Sequence, residues 1–217
     1  MRNALVIGAS GGIGRAVCEV LEGDGGAVTR LSRSLDGLDV TDPASVDRVL
    51  GAFEGPFDLI FIAVGVLGTP EKALSAVTAE EMARVFAVNT VGPALVLRHA
   101  ARLLAKDAPG VVAVLTARVG SIGDNQIGGW YSYRASKAAL NQIVHGAAIE
   151  LGRSHKQSVV VALHPGTVET EFTAAYAGRH KTVPAPQAAR DLVNVLIGLG
   201  HDQTGGFFAY DGAVIPW

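Results

Sequence analysis

Hydrophobic residues follow two alternating patterns along the chain. Short, mostly apolar runs are typical of strands in a sheet that is covered by other elements. They lie at residues 4–7, 27–31, 57–63, 110–116, 158–164 and 205–210. Between these runs, apolar residues recur at helical spacing. This second pattern predicts helices over residues 13–21, from 43 onward, and over 78–104, 130–151 and 185–199.

Strands that alternate with helices predict a parallel sheet with helices on both faces. The sequence therefore predicts an α/β fold with a single doubly wound, Rossmann-type parallel sheet, in one domain over residues 1–217. Ligands of such sheets bind at the carboxyl ends of the strands. The loops expected there follow residues 7, 31, 63, 116 and 164.

Composition narrows the classes of function. The chain is 49% hydrophobic and 18% charged, as expected of a compact globular protein. Its net charge of -2, without a basic block, argues against a nucleic-acid partner. The longest apolar run is too short to cross a membrane as a helix, so we expect no membrane partner and a cytoplasmic protein. The single cysteine, Cys18, excludes an internal disulfide, and the scattered histidines predict no metal site.

A glycine-rich turn, GASGGIG, joins the first predicted strand to the first predicted helix. Gly8, Gly12 and Gly14 leave bare backbone there, so a phosphate could approach the N–H groups of the helix N-terminus. The strand, turn and helix occur in the order that a nucleotide site requires. A tight turn without a ligand is the alternative.

The end of the second strand indicates which nucleotide would bind. A carboxylate at this place accepts hydrogen bonds from the ribose of NAD, whereas an arginine suits the 2′-phosphate of NADP. The chain has Ser32 and Arg33 there and no acidic residue before Asp36. NADP(H) is therefore predicted in preference to NAD(H), with an ordinary solvated arginine as the alternative.

Tyr133 and Lys137 lie four residues apart in a predicted helix and so share one face. An ammonium group near a phenol favours the phenolate and lowers the pKa of the tyrosine. The phenol then becomes better suited to proton transfer near neutral pH. The pair alone would be unremarkable in any helix, and its weight comes from following the nucleotide turn.

Five segments together resemble the motifs of the short-chain dehydrogenase/reductase family, and the similarity runs from about residue 4 to residue 217. They are GASGGIG, LDVTD, AVNTVGP, YRASK and HPGTVET. The stretch RVGSIGDNQIGGWYSYRASKAALN and the ending GGFFAYDGAVIPW are most similar to C-factor and sniffer-like carbonyl reductases. The resemblance implies a carbonyl or alcohol as small-molecule substrate and a homodimer or homotetramer.

The resemblance also assigns roles to residues. Tyr133 would donate a proton to a carbonyl oxygen, Lys137 would bind the nicotinamide ribose, and Asn89 would hold a water that links Lys137 to solvent. The implied cofactor contacts are Gly8, Ser10, Gly12, Ile13, Gly14, Ser32, Arg33, Asp39, Val40, Ala63, Val64, Gly65, Tyr133, Lys137, Pro165, Gly166, Val168 and Thr170.

One catalytic position departs from the family pattern. The family serine that hydrogen-bonds the reacting oxygen ends a Ser-Ser pair, and its counterparts here are Thr116 and Ala117. Alanine donates no hydrogen bond, and losing one well-aimed donor costs on the order of a hundredfold in rate. Ser121, twelve residues before Tyr133, is a candidate replacement, or else a turn residue after Gly120. Thr116 has a hydroxyl but belongs to the opposite side of the strand.

Several features outside these motifs leave alternatives open. Ile62-Ala63-Val64-Gly65 stands where the family has Asn-Asn-Ala-Gly, and Ile7 replaces a threonine. Residues 167–184, with Phe172 and Tyr176, form a candidate loop over the substrate or a plain surface loop. His164 precedes a Pro-Gly pair. It either lies near the cofactor or has a structural role.

Two hypotheses about function follow. The first is an NADP(H)-dependent oxidoreductase that interconverts a carbonyl and an alcohol, with Ser121 or another group covering for the missing serine. The second is a nucleotide-binding protein that has lost its chemistry and acts as a sensor or interaction partner. A sugar-nucleotide epimerase is a weaker third possibility, because such relatives carry a larger C-terminal substrate region.

Overall fold

The computed structural model describes residues 1–173 and 182–217. Its strands are β1 Asn3–Ile7, β2 Ala27–Leu31, β3 Leu59–Ile62, β4 Gly110–Leu115, β5 Ser158–His164, β6 Val168–Glu169, β7 Val183–Pro184 and β8 Phe207–Ala209. Its α-helices are α1 Gly12–Gly23, α2 Arg33–Asp36, α3 Pro43–Gly51, α4 Ala79–Phe86, α5 Gly92–Leu97, α6 Ala100–Leu103, α7 Tyr131–Leu151 and α8 Ala185–Gly198. Short 3₁₀ turns cover Leu74–Ala76, Arg118–Gly120 and His201–Gln203, and Ala87–Val91 is π-helical.

Six strands of the described part form a parallel sheet in the order β2-β1-β3-β4-β5-β8. The strands β6 and β7 pair with each other outside this sheet. After β1 the chain moves outward to β2, and it then returns past β1 to β3. The switch point between β1 and β3 opens a crevice at the carboxyl ends of the strands, where doubly wound folds bind ligands.

Two separate clusters of buried side chains cover the two faces of the sheet. On one face, α1 and α8 contribute Val17, Cys18, Leu21 and Leu192. On the other face lie buried side chains of α3, α5, α6 and α7. The predicted parallel, doubly wound sheet with helices on both faces is confirmed. Cys18 is one of the packed residues, and burial raises the pKa of its thiol to about 11.

The predicted continuous helix over residues 78–104 was wrong, because the structure divides it into α4, the π-helical segment, α5 and α6. Pro93 lacks the N–H that would bond to the carbonyl of Asn89, so a regular α-helical ladder cannot continue through this point. The wider π turn brings Asn89 into the interior, where it is fully buried. Such single π turns are frequent at functional sites.

No helix within residues 1–173 and 182–217 combines the length and the apolar character that a bilayer span requires.

Side-chain caps mark the starts of several helices. At α3, the Asp42 side chain accepts a hydrogen bond from the N–H of Ala44 at 3.0 Å, and Pro43 occupies the first turn. At α4, Thr78 accepts from the N–H of Glu81. The Glu81 carboxylate bonds Arg84 and the N–H of Thr69.

Candidate active site

A cavity of about 910 Å³ opens at the carboxyl ends of β1, β3, β4 and β5. This volume lies in the range of sites for small molecules and cofactors. Of the predicted site residues, the cavity is lined by Ser10, Gly12, Ile13, Gly14, Ala63, Val64, Gly65, Tyr133, Lys137, Pro165, Gly166, Val168 and Thr170. The remaining predicted residues, Gly8, Ser32, Arg33, Asp39, Val40, Asn89 and Ser121, are not among its lining residues.

The glycine turn depends on backbone atoms that lie too close for side chains. A Cβ on Gly8 would lie 2.4 Å from the carbonyl oxygen of Ala63, and the φ of Gly8 is +85°. A Cβ on Gly14 would lie 2.2 Å from the carbonyl oxygen of Gly8. Glycine at these places therefore lets α1 start directly behind the ends of β1 and β3.

The N-terminus of α1 faces the cavity with its backbone. Gly11 at the N-cap provides no side chain to accept the N–H groups of the first turn. Gly11, Gly12, Ile13 and Gly14 all line the cavity. Unpaired N–H groups and the helix dipole at such a terminus attract phosphate. This part of the cavity fits the pyrophosphate of a dinucleotide.

At the end of β2, charges of both signs are present. Ser32 is buried, and its hydroxyl accepts a hydrogen bond from the N–H of Leu35 as the N-cap of α2. Arg33 is exposed at the first position of α2. The carboxylate of Asp36 accepts the N–H of Ser32 at 2.8 Å. The carboxylate of Asp36, four residues after Ser32 in the sequence, thus lies at the end of β2.

Asp39 and Val40, two of the implied cofactor contacts, support their own segment. Asp39 Oδ1 accepts hydrogen bonds from the N–H and the hydroxyl of Thr41, at 2.9 and 2.7 Å. These bonds lower the pKa of the Asp39 carboxyl. Val40 packs against Gly92, since a Cβ added to Gly92 would lie 2.7 Å from Cγ2 of Val40. Val40 therefore ties this segment to the start of α5.

Asn89 holds the loop after β3. Its Oδ1 accepts the N–H of Val66 at 2.7 Å, and its Nδ2 donates to the carbonyl of Val66 at 2.8 Å and to Ser136 Oγ at 3.1 Å. A Cβ on Gly65 would lie 3.3 Å from both Asn89 Oδ1 and Lys137 Nζ. Asn89 therefore fixes the backbone of Gly65 beside the amine of Lys137.

Tyr133 and Lys137 are together in the cavity, as their spacing predicts. Lys137 Nζ lies 5.9 Å from the centroid of the Tyr133 ring and donates to the carbonyl of Leu115 at 3.2 Å. The Tyr133 ring also contacts Trp130, at 6.2 Å between centroids, and Phe172, at 6.1 Å. These aromatic contacts orient the phenol on the first turn of α7.

The predicted lowering of the tyrosine pKa is not found in the protein chain itself. Burial raises the pKa of Tyr133, because a phenolate in this enclosed place would lose its hydration. Burial also lowers the pKa of Lys137 to about 8, so the amine is only partly charged near that pH. Tyr133 therefore holds its proton at neutral pH, as a general acid requires.

A buried carboxylate anchors the first turn of α7. Glu71 accepts hydrogen bonds from the N–H and the hydroxyl of Ser132, and its own carbonyl accepts the N–H of Trp130 at 2.6 Å. Trp130, the N-cap, has a φ of +52° after two glycines with positive φ. A negative charge at a helix N-terminus is favourable. Glu71 thus fixes the turn that carries Tyr133.

After the end of β4, Ala117 stands where the family pattern has a serine hydroxyl. Thr116 and Ala117 line the cavity, and the Thr116 hydroxyl points to the carbonyl of Lys137 at 3.4 Å. Ser121 is buried, and its hydroxyl accepts the N–H of Asp124 at 3.0 Å. Both hydroxyls have local partners, while Ala117 offers the cavity only a methyl group.

The loop after β5 folds over the glycine turn. A Cβ on Gly12 would lie 2.5 Å from Thr170 Cγ2, which places this loop directly on the start of α1. Gly166 has a φ of +77° and packs on the ring of Tyr210. The candidate covering loop is thus described as far as residue 173, and Tyr176 lies outside the described residues.

The charged lining residues that escaped the sequence analysis are Arg15, Arg118, Asp124, Arg134, Glu169 and Glu171. Arg134 lines the cavity beside Tyr133, and burial lowers the pKa of its guanidinium. Arg118 and Asp124 also line it and form an ion pair at 3.6 Å. The position of Arg134 directly after Tyr133 in the sequence was a usable signal. No signal in the sequence pointed to Glu71, because its contact with Ser132 joins residues that are 61 apart in the sequence.

The family model of the short chain dehydrogenases matches residues 2–180. The C-signal protein of Myxococcus xanthus is 39% identical over 163 residues, which are 75% of this chain and 94% of that protein. The 1-hydroxy-2-glutathionyl-2-methyl-3-butene dehydrogenase of Rhodococcus sp. (strain AD45) is 31% identical over 232 residues, 100% of both chains.

Solved structures share the fold over the whole chain. The carbonyl reductase Sniffer of D. melanogaster has a TM-score of 0.81 at 21% identity and 100% coverage of both chains. A short chain dehydrogenase from Burkholderia cenocepacia, in complex with NADP, has a TM-score of 0.78 at 25% identity, covering 98% of this chain and 97% of that one. The resemblance drawn from the motifs is confirmed. With a family model over most of its length and a relative matched end to end, the chain belongs to the short-chain dehydrogenase family of oxidoreductases.

Proposed function

We propose that the protein is an NADP(H)-dependent oxidoreductase that interconverts a carbonyl and an alcohol on a small substrate. The observation that carries this proposal is the arrangement of Tyr133 and Lys137 in one cavity with the open N-terminus of α1. A proton donor for the substrate and a turn that would bind the dinucleotide then face the same cavity. The family of the chain agrees with this chemistry.

Each residue has a physical task in the reaction. When bound, the reduced nicotinamide supplies the hydride that reaches the carbonyl carbon. Tyr133 donates its phenolic proton to the carbonyl oxygen, so that the alkoxide charge never develops fully. Lys137 stabilises the phenolate that remains, because its ammonium lies beside the ring. Asn89 positions the loop at Gly65 so that the backbone, and no side chain, faces the amine.

The residues fit a dinucleotide cofactor. Gly11, Gly12, Ile13 and Gly14 would hold the pyrophosphate through backbone N–H groups. Arg33 at the end of β2 would bind the 2′-phosphate of NADP, and a relative of 25% identity is a complex with NADP. Asp36 is the competing group, since its carboxylate lies at the same strand end.

Arg33→Ala is expected to weaken NADPH binding by about tenfold and to leave NADH binding unchanged, because a charge-assisted hydrogen bond to phosphate would be lost. Titration of intrinsic fluorescence with each nucleotide measures both dissociation constants. Arg153→Ala removes an exposed arginine two residues after the end of α7 and serves as the matched control. If Asp36→Asn weakens NADH binding while Arg33→Ala changes neither constant, the NADP preference is wrong.

A second candidate function rests on Ala117. Its methyl group occupies the end of β4 at the cavity and donates no hydrogen bond to a reacting oxygen. A chain with this change could bind the nucleotide and serve as a sensor or interaction partner without turnover. NADPH oxidation over a panel of small aldehydes, ketones and diketones separates the two candidates.

Ala117→Ser is expected to raise the turnover of that panel roughly tenfold, because it adds a donor where the alkoxide develops. The backbone of residue 117 is extended, so the substitution causes no strain. Ala117→Cys adds similar bulk with a weak donor and should give little gain. Turnover by the serine variant alone, with none by the wild type, would favour the silent protein over the enzyme.

Self-association and cytoplasmic location are further parts of the proposal. Val91, beside α5, and Ile149, on α7, are exposed large hydrophobic residues. A homodimer or homotetramer would cover them. Analytical ultracentrifugation of the purified chain measures the oligomeric state.

A further inference from the structure

One face at the start of α7 forms a wall of the cavity. From the N-cap onward, the cavity-lining residues of this helix are Trp130, Tyr133, Arg134 and Lys137. Positions i, i+3, i+4 and i+7 share one side of a helix, so Arg134 belongs to the side that faces the cavity. The proposed reaction uses Tyr133 and Lys137 and leaves Arg134 without a task.

The guanidinium of Arg134 lies against the turn that follows β4. Its Nη1 donates to the carbonyl of Val119 at 3.3 Å, and Val119 also lines the cavity. A Cβ on Gly120, the next residue, would lie 2.7 Å from the carbonyl carbon of Lys137, so this turn packs directly on α7. The Arg134 side chain therefore bridges α7 and the turn after β4, which are two walls of the cavity.

Arg134 is a cation without a counter-ion. None of the ion pairs within residues 1–173 and 182–217 includes it, and residues 174–181 contain no acidic side chain. Its Nε is buried and has no hydrogen-bond partner in the described part of the chain. Burial lowers the pKa of the guanidinium, because the charge has lost water. The Val119 carbonyl uses one of several N–H donors, and an anion would accept from the others.

The other charged groups near this wall are compensated or exposed. Arg118 pairs with Asp124 at 3.6 Å. The carboxylate of Glu71 accepts hydrogen bonds from Ser132, and Glu71 does not line the cavity. Solvent screens exposed charges. The exposed charged residues elsewhere in the lining are Arg15, Glu169 and Glu171. Arg134 thus remains a partly buried positive charge that no neighbouring carboxylate compensates.

The neighbours of Arg134 indicate the rest of the ligand. Trp130 and Phe172 contact the Tyr133 ring and line the cavity, so the surroundings of the phenol are aromatic. Arg134 follows Tyr133 by one residue, about 1.5 Å along the helix axis. A ligand with its carbonyl oxygen at Tyr133 therefore has apolar walls around its body and a cation on the side of the turn after β4.

We propose that Arg134 binds a carboxylate of the substrate, and that the substrate is an aromatic carbonyl compound carrying this group. The proposal rests on the oxidoreductase function proposed above and names its substrate class. A guanidinium pairs with a carboxylate through two parallel N–H···O bonds. This contact holds the carbonyl at Tyr133 while Arg134 itself stays away from the reacting oxygen. Arg134 is thus a specificity-determining residue.

The test uses 3- and 4-carboxybenzaldehyde, each paired with the uncharged carbamoylbenzaldehyde of the same shape. With NADPH, the wild type should favour the carboxylate over the amide by about tenfold in kcat/KM for at least one position, mainly through KM. Arg134→Gln removes the charge and keeps an N–H donor for the Val119 carbonyl. It should bring that ratio close to one and leave kcat/KM for the amides nearly unchanged. Comparing the ratio between wild type and variant cancels the different intrinsic reactivities of acid and amide.

Two further variants and a binding measurement separate charge from structure. Arg134→Lys keeps the charge without the planar fork and should retain a few-fold preference for the carboxylate. Arg118→Gln should retain the full preference, because Asp124 already compensates Arg118. Isothermal titration of the NADP complex should show that benzoate binds the wild type about tenfold more tightly than benzamide does. This difference should disappear in Arg134→Gln.

The outcomes that would overturn the proposal are distinct. Turnover of all four aldehydes without a carboxylate preference would remove the role of Arg134 and leave the oxidoreductase function intact. A preference that persists in Arg134→Gln, or that is lost equally in Arg118→Gln, would assign the carboxylate to another group. An absence of turnover in both the wild type and Ala117→Ser, with NADPH still bound, would remove the oxidoreductase function and this role together.

Discussion

Tyr133→Phe is expected to lower kcat for carbonyl reduction by about 10² to 10⁴-fold, because the substrate oxygen loses its proton donor. The ring and its contacts with Trp130 and Phe172 are kept, so NADPH binding and the midpoint of thermal unfolding should stay close to those of the wild type. Steady-state kinetics and a nucleotide titration on the same preparation measure both quantities.

Tyr131→Phe provides the matched control, since Tyr131 lies in the same turn of α7 and does not line the cavity. It should retain most of the activity. The pH dependence adds a second readout. Because burial raises the pKa of Tyr133, the phenol is protonated at neutral pH, and reduction should decline only at alkaline pH while alcohol oxidation rises with pH. A Tyr133→Phe variant with more than a tenth of wild-type activity would contradict the assignment.

Gly14→Ala is the second change with a large expected effect. A Cβ there would lie 2.2 Å from the carbonyl oxygen of Gly8, 2.9 Å from its carbonyl carbon and 3.3 Å from the Cα of Ala9. All three atoms belong to the backbone, so α1 itself must shift away from the sheet. We expect a loss of about 3 kcal/mol in the free energy of unfolding, typical of severe overpacking, and a loss of NADPH binding.

Gly23→Ala tests whether that loss comes from the close contact. Gly23 ends the same helix, and a Cβ there meets no atom within 4 Å. Alanine is the better helix former by about 0.8–1.0 kcal/mol in a helix interior, so this variant should be no less stable than the wild type. Denaturant unfolding of the two variants gives the comparison. Equal stability of Gly14→Ala and Gly23→Ala would mean that the turn tolerates a side chain.

Much of the sheet was predictable because its signals are local. The apolar runs marked the six strands, and the motif at the first turn marked α1, since a buried parallel strand and a glycine turn each depend on neighbouring residues. Tyr133 and Lys137 were predictable as a pair for the same reason, because helix spacing alone puts them on one face.

Other parts of the site depend on residues far apart in sequence. The shift in the pKa of Tyr133 was predicted in the wrong direction. The spacing indicates that a lysine is near the phenol, but it does not show that the phenol is buried. The break at Asn89 combines a proline with the wider turn that it requires. Arg33 and Asp36 come to the same strand end only once α2 turns the chain back.

The sequence by itself determined the class of fold, the position of the glycine turn and the tyrosine–lysine pair, since each is a property of neighbouring residues. Only the tertiary structure decided what surrounds them. Glu71, from the loop after β3, accepts hydrogen bonds from Ser132 and so fixes the first turn of α7. Burial, which sets the proton affinity of Tyr133, exists only after distant segments have packed together.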